Sequence, residues 1–177
     1  EAARGQVTGV PSGFGVLDRK TCGFQPGDLV IVAGRPGMGK TSLALGMAAH
    51  AAGQGAATLL FSLEMSKELV TQSLLCQEAG VDSQRWRGGT FQPEDWGSLM
   101  GALERMDRLP LVLDDTPALA IGDLRARALR HHQRTPLGLI VLDYLQLCRG
   151  SSRRAEENRV QEISEITRGL KSLAREL

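Results

Sequence analysis

Leu29-Val30-Ile31-Val32-Ala33 runs directly into Gly34-Arg35-Pro36-Gly37-Met38-Gly39-Lys40-Thr41, and a helix-like stretch, Ser42 to Ala52, follows. The eight residues from Gly34 fit the phosphate-loop pattern G-x-x-x-x-G-K-[ST] at every fixed position. An apolar strand, a glycine loop and a helix form the arrangement that phosphate binding requires. Glycines let backbone N–H groups turn toward phosphate oxygens, and the helix N-terminus adds partial positive charge. Residues 34–42, Gly34, Arg35, Pro36, Gly37, Met38, Gly39, Lys40, Thr41 and Ser42, are therefore the expected nucleotide-binding set. Lys40 is expected on the β- and γ-phosphates of a nucleoside triphosphate and the Thr41 hydroxyl on Mg²⁺.

Outward from this loop, apolar runs alternate with amphipathic ones. Strands are expected at Leu29–Ala33, Thr58–Ser62, Leu111–Leu113 and Leu139–Leu142. Helices are expected near Thr41–Ala52, Lys67–Ala79, Pro93–Met106, Asp123–Gln133 and Glu157–Leu177. In the last of these, Val160, Ile163, Ile166, Leu170, Leu173 and Leu177 recur at spacings of three and four, one helix face. Alternating strands and helices imply an α/β fold with a mostly parallel, buried sheet. The 177 residues suffice for one domain with its own core. Only 4% are aromatic, so that core is built from Leu, Val, Ile and Ala.

The net charge of +1 points to no particular partner. Residues 1–120 carry a balance of −3 and residues 121–177 a balance of +4, an asymmetry usual for solvated surfaces. Cys22, Cys76 and Cys148 are odd in number and far apart, which supports neither a disulfide framework nor a zinc site. Reduced thiols fit a cytoplasmic protein. No apolar run is long enough to span a membrane.

ATP hydrolysis needs a second carboxylate on the Mg²⁺ side and a group that activates water. Asp143, after Leu139-Ile140-Val141-Leu142, is the leading Walker B residue, modestly ahead of Asp114-Asp115 after Leu111-Val112-Leu113. Asp114-Asp115 also reads as a turn or helix-capping pair before Thr116-Pro117. Glu64, beyond the strand ending Phe61-Ser62, reads equally well as a catalytic base or as a first-turn helix acid. Two loops stand out. Arg87-Gly88-Gly89-Thr90 ends one element, and the basic Arg149-Gly150-Ser151-Ser152-Arg153-Arg154 follows a strand end, where ligands gather in parallel sheets.

Together these pieces resemble the ATPase domain of DnaB-type replicative DNA helicases over essentially the whole chain. Thr8-Gly9-Val10-Pro11-Ser12-Gly13-Phe14, Leu17-Asp18 and Gly23-Phe24-Gln25-Pro26-Gly27-Asp28-Leu29 carry the resemblance at the N-terminal end. Arg35–Thr41, Phe61-Ser62-Leu63-Glu64-Met65, Asp143-Tyr144-Leu145-Gln146-Leu147 and Glu162-Ile163-Ser164-Glu165-Ile166 complete it. Ser-Leu-Glu-Met and Asp-Tyr-Leu-Gln are far more specific than the phosphate loop.

The resemblance implies a RecA-like P-loop NTPase fold with Glu64 as the water-activating base and Asp143 as the Walker B acid. Asp114-Asp115 then becomes an ordinary strand end. It further implies an enzyme that hydrolyses ATP to translocate on single-stranded DNA and unwind duplex DNA. A homo-hexamer with primase and helicase-loader partners would go with that role. Arg153, Arg154 and Arg159 are the residues that the resemblance places in or beside a DNA-facing loop.

Against the family pattern, residues 1–177 are expected to be a partial domain, lacking an N-terminal domain and linker. Beyond Leu177 the pattern continues with a strand bearing a polar sensor, a second DNA-facing loop and an arginine finger. That strand lies between the phosphate-loop strand and the Walker B strand, so without it both should lack a partner or the gap should close. Without the finger, the isolated chain should be a poor ATPase. A repair or recombination ATPase of the same fold, without processive unwinding, is the alternative. A small-molecule kinase has only the phosphate loop in its favour.

Overall fold

The computed structural model describes residues 7–145, 148 and 159–177. A short helix α1 (Gly15–Thr21) leads through an extended segment to α2 (Lys40–Gly53), then β1 (Thr58–Ser62). Three helices follow, α3 (Lys67–Ala79), α4 (Ser83–Gly88) and α5 (Pro93–Met106), before β2 (Leu111–Asp114). Helix α6 (Ile121–Arg134) leads to β3 (Leu139–Asp143), and α7 (Arg159–Glu176) closes the order.

The three strands form a parallel sheet in the order β2-β1-β3. Central β1 is buried at all five positions, as a strand with Leu59-Leu60-Phe61 at its middle should be in a parallel sheet. Its side chains alternate between two cores. Leu59 and Phe61 join Leu124 and Ala128 of α6 and Ile166, Leu170 and Leu173 of α7 on one face. Leu60 joins Leu45, Ala48 and Ala49 of α2 and Val70 and Leu74 of α3 on the other. The result is a helix–sheet–helix sandwich in which α2, bearing the phosphate loop at its N-terminus, lies against the sheet.

One expected strand does not form. Leu29–Ala33 is assigned no strand, and Val30, Ile31 and Val32 are 55%, 64% and 47% exposed. The cause is a missing neighbour, because β-structure exists only when another strand supplies its hydrogen bonds. Among the described residues β3 pairs only with β1, and nothing bridges β3 to Leu29–Ala33. Leu29–Ala33 is thus without a strand partner among the described residues, whereas β3 keeps β1 on one side.

Candidate nucleotide site

The phosphate loop owes its shape to two glycines. Gly37 and Gly39 have φ of +76° and +77°, the left-handed region that strains any residue with a Cβ. Gly39 is also the N-cap of α2. The Met38 N–H donates to Arg35 O at 3.3 Å, and the Leu43 N–H donates to Gly39 O at 2.9 Å, starting the helix. Residues Gly34 to Gly39 are exposed, Lys40 and Thr41 half-buried and Ser42 exposed.

The Lys40 ammonium folds back over the loop and donates to Gly34 O at 3.0 Å and Arg35 O at 3.1 Å. These carbonyls hold the cation against the loop backbone. A triphosphate fits this donor set: open glycine backbone, a helix N-terminus without first-turn acids, and a flexible cation already inside the loop.

The parallel register sets the carboxylates. Ser62 lies opposite Asp143, and the ladder runs one residue past β1, with the Leu63 N–H donating to Asp143 O at 2.7 Å. Glu64 is the next residue and is exposed, while Asp143 is buried. The two acids therefore sit at the C-terminal ends of adjacent strands, the side of a parallel sheet where ligands bind. Ser62 Oγ donates to Met65 O at 2.7 Å and accepts the Met65 N–H at 3.3 Å, which fixes the turn carrying Glu64.

The rival acids are committed elsewhere. Arg127 Nη1 donates to Asp114 Oδ1 at 3.0 Å and Oδ2 at 2.7 Å, and the Thr116 N–H donates to Asp114 Oδ1 at 3.0 Å. Asp115 Oδ2 accepts the Lys67 N–H at 2.9 Å, at the N-terminus of α3. Asp114 thus makes a turn, and Asp115 serves a helix 48 residues upstream instead of the one that follows it. The turn at Asp114 is the one its sequence suggests, whereas the reach of Asp115 to Lys67 leaves no signal in the local sequence.

Burial alone would push the Asp114 carboxyl up, but Arg127 and Thr116 outweigh it and hold it below the ordinary carboxylate value. A lowered folded pKa means stability that is full above the unfolded value of about 4 and lost as pH falls through the folded value. Asp114→Asn should cost about 1–3 kcal/mol at neutral pH by leaving Arg127 without its anion. Paired thermal melts should show that difference unchanged from neutrality down to about pH 5 and shrinking below about pH 4.

Arg153 and Arg154, together with the loop 149–154, lie outside the described residues. Arg159 is the first residue of α7. Among the described residues no group of three or more His, Cys, Asp or Glu side chains is placed to hold a metal ion. A Mg²⁺ here would rest on Thr41, Asp143 and the nucleotide itself, the usual sparse protein contribution to this ion. No helix among the described residues is long and apolar enough to cross a membrane.

The DnaB-like helicase C terminal domain model matches residues 9–177. The replicative DNA helicase DnaB of Geobacillus stearothermophilus is 48% identical over 174 residues, which are 98% of this chain and 38% of that protein. The replicative DNA helicase DnaC of Bacillus subtilis (strain 168) is 45% identical over 175 residues, again 98% and 38%. The chain thus spans well under half the length of these curated relatives. Among solved structures, a DnaB-like replicative helicase described with its interactions with primase superposes with a TM-score of 0.92 at 32% identity, covering 98% of this chain and 42% of that one. A second solved structure, described as an ATPase domain, gives 0.91 at 32% identity, covering 98% and 62%. The fold is the RecA-like α/β fold of these ATPases, and the chain belongs to the DnaB-like helicase C-terminal domain family.

Proposed function

We propose that this chain is the motor part of a replicative DNA helicase, which hydrolyses ATP to move along single-stranded DNA and separate the duplex. The observation that supports the reading is the β1–β3 register, which brings the turn carrying Glu64 to the strand end that carries Asp143. Family membership supplies the context.

In this reading the loop N–H groups of residues 34–41 and the Lys40 ammonium hold the β- and γ-phosphates. Thr41 Oγ1 and Asp143 would hold Mg²⁺, which would neutralise phosphate charge. Glu64 orients a water in line with the γ-phosphate and takes its proton. Arg153, Arg154 and Arg159 grip the phosphate backbone of single-stranded DNA. The working form is a homo-hexamer in the cytoplasm, with an arginine from a neighbouring subunit completing each site. Primase and a helicase loader are its partners; the solved DnaB-like helicase described with primase supports the first of these.

The test is ATP hydrolysis by the full-length protein, with and without single-stranded DNA. Strong stimulation by DNA that disappears in Glu64→Gln supports the motor. Hydrolysis indifferent to DNA sinks it and leaves a phosphate-loop ATPase with another task.

A further inference from the structure

The segment 63–67 leaves β1, carries Glu64 and enters α3 at Lys67. Alternate N–H groups along it are anchored. The Leu63 N–H donates to Asp143 O at 2.7 Å, the Met65 N–H to Ser62 Oγ at 3.3 Å and the Lys67 N–H to Asp115 Oδ2 at 2.9 Å. The first hold comes from the end of β3, the second from β1 itself and the third from the residue just beyond β2. The register explains the reach. Phe61 pairs with Asp114 and Ser62 with Asp143, so Asp115, one residue past the β1–β2 ladder, comes level with Ser62 and Asp143. Central β1 therefore releases its turn between two flanking strands, and each of them contributes one hold.

Asp115 is itself firmly placed. Both of its chain neighbours are tied to Arg127 of α6. Asp114 accepts from Arg127 Nη1 at 2.7 and 3.0 Å, and Thr116 Oγ1 accepts from the same nitrogen at 2.6 Å. The carboxylate thus approaches Lys67 from a fixed backbone. At the receiving end, Ser66 is the N-cap of α3 and has extended backbone, yet it makes no side-chain cap bond. The first N–H groups of a helix have no partner inside it, and Asp115 takes the first of them from 48 residues away. Its negative charge also suits the helix N-terminus. The body of α3 has other anchors, Val70 and Leu74 in the core. What Asp115 fixes is the connection that precedes the helix, where Glu64 sits. The Glu64 side chain is exposed, so its aim is set by its backbone and not by packing.

We propose that Asp115 is a positioning residue for Glu64, pinning the downstream end of the turn that aims the base. This deepens the proposed function and rests on Glu64 being the base. Asp115 neither holds the metal nor touches the nucleotide in this role; it acts through the Lys67 N–H. Rate falls steeply when a reacting group is displaced, by about 10²-fold for roughly 1 Å.

The test is ATP hydrolysis by the full-length protein. Asp115→Ala should lower kcat about tenfold or more, with KM for ATP within about threefold of wild type. Asp115→Asn keeps an accepting oxygen at the same reach and should recover most of the loss. Lys67→Pro removes the same bond from the other side. Proline is accepted at the first helical position, and the extended Ser66 suits the residue before it. Lys67→Pro should match Asp115→Ala, and the two together should cost no more than either alone. In a Glu64→Gln background, Asp115→Ala should change single-turnover phosphate release by less than about twofold. If Asp115→Asn is as slow as Asp115→Ala, the charge matters and not the bond, and the proposal is overturned. An undiminished Asp115→Ala loss in the Glu64→Gln background would overturn it too, as would losses that track melting temperature across the variants. Wild-type turnover in Glu64→Gln alone is the separate result that removes the base reading, and the positioning role with it.

Discussion

Lys40→Ala should abolish measurable ATP turnover and weaken nucleotide binding roughly 10- to 100-fold, with little change in melting temperature. Its ammonium is the cation that the structure sets back over the loop, on Gly34 O and Arg35 O. Bound phosphate would draw it away from those neutral carbonyls, and a hydrogen bond to a charged group contributes about 1.5–3 kcal/mol. At about 1.4 kcal/mol per tenfold, that accounts for the loss in affinity. Turnover suffers more than binding, because negative charge builds on the leaving β-phosphate oxygen as the bond breaks, within reach of a cation expected on both the β- and γ-phosphates. Loss of one such electrostatic stabiliser costs about 10²–10³ in kcat. The fold should survive, since the exposed loop carries its shape in Gly37 and Gly39 and not in the lysine. Titration with a fluorescent ATP analogue and a phosphate-release assay separate the two losses. Wild-type affinity in the variant would place the triphosphate elsewhere.

What is legible in the sequence is what is encoded locally. The phosphate loop is a contiguous string whose glycines are required by backbone angles, so residue types and structure coincide there. Within Thr58–Ser62, Leu59-Leu60-Phe61 runs apolar without alternation, the mark of a strand buried on both faces. Helix α5 opens on Pro93 with reciprocal bonds between Gln92 and Asp95, and α3 stops at Gly80 in the left-handed region, so both have chemically marked ends. The short α1 and α4 escape such a reading, because helices of 7 and 6 residues carry too little periodicity. Leu29–Ala33 has every residue a strand wants and is not one, since pairing belongs to two segments and not to one. The same limit hides Asp115 on Lys67 N–H and Lys171 on Gly27 O, contacts spanning 48 and 144 residues. The roles of Glu64 and Asp143 come from family resemblance, not from pattern. The structure adds the register that makes them neighbours.

That register also sets the form of the second large effect. Glu64→Gln should leave ATP affinity within about threefold of wild type and lower kcat by about 10²–10⁴, the range supplied by a positioned general base. Glutamine keeps the length and the hydrogen-bonding oxygen of glutamate, so it can still orient a water but cannot take its proton. The turn that carries residue 64 does not depend on the carboxylate: it is fixed by Ser62 Oγ on the Met65 backbone and by the Leu63 N–H on Asp143 O. The substitution therefore removes chemistry without moving the backbone. Asp143→Asn should behave differently, raising the Mg²⁺ concentration needed for half-maximal turnover, if its carboxylate has the metal role proposed for it. Measuring kcat and KM for ATP across a Mg²⁺ titration in both variants distinguishes the two acids. A loss in Glu64→Gln that excess Mg²⁺ repairs would transfer Glu64 to the metal side and leave the water without a base. A loss that persists at every Mg²⁺ concentration, with affinity intact, assigns the proton to Glu64.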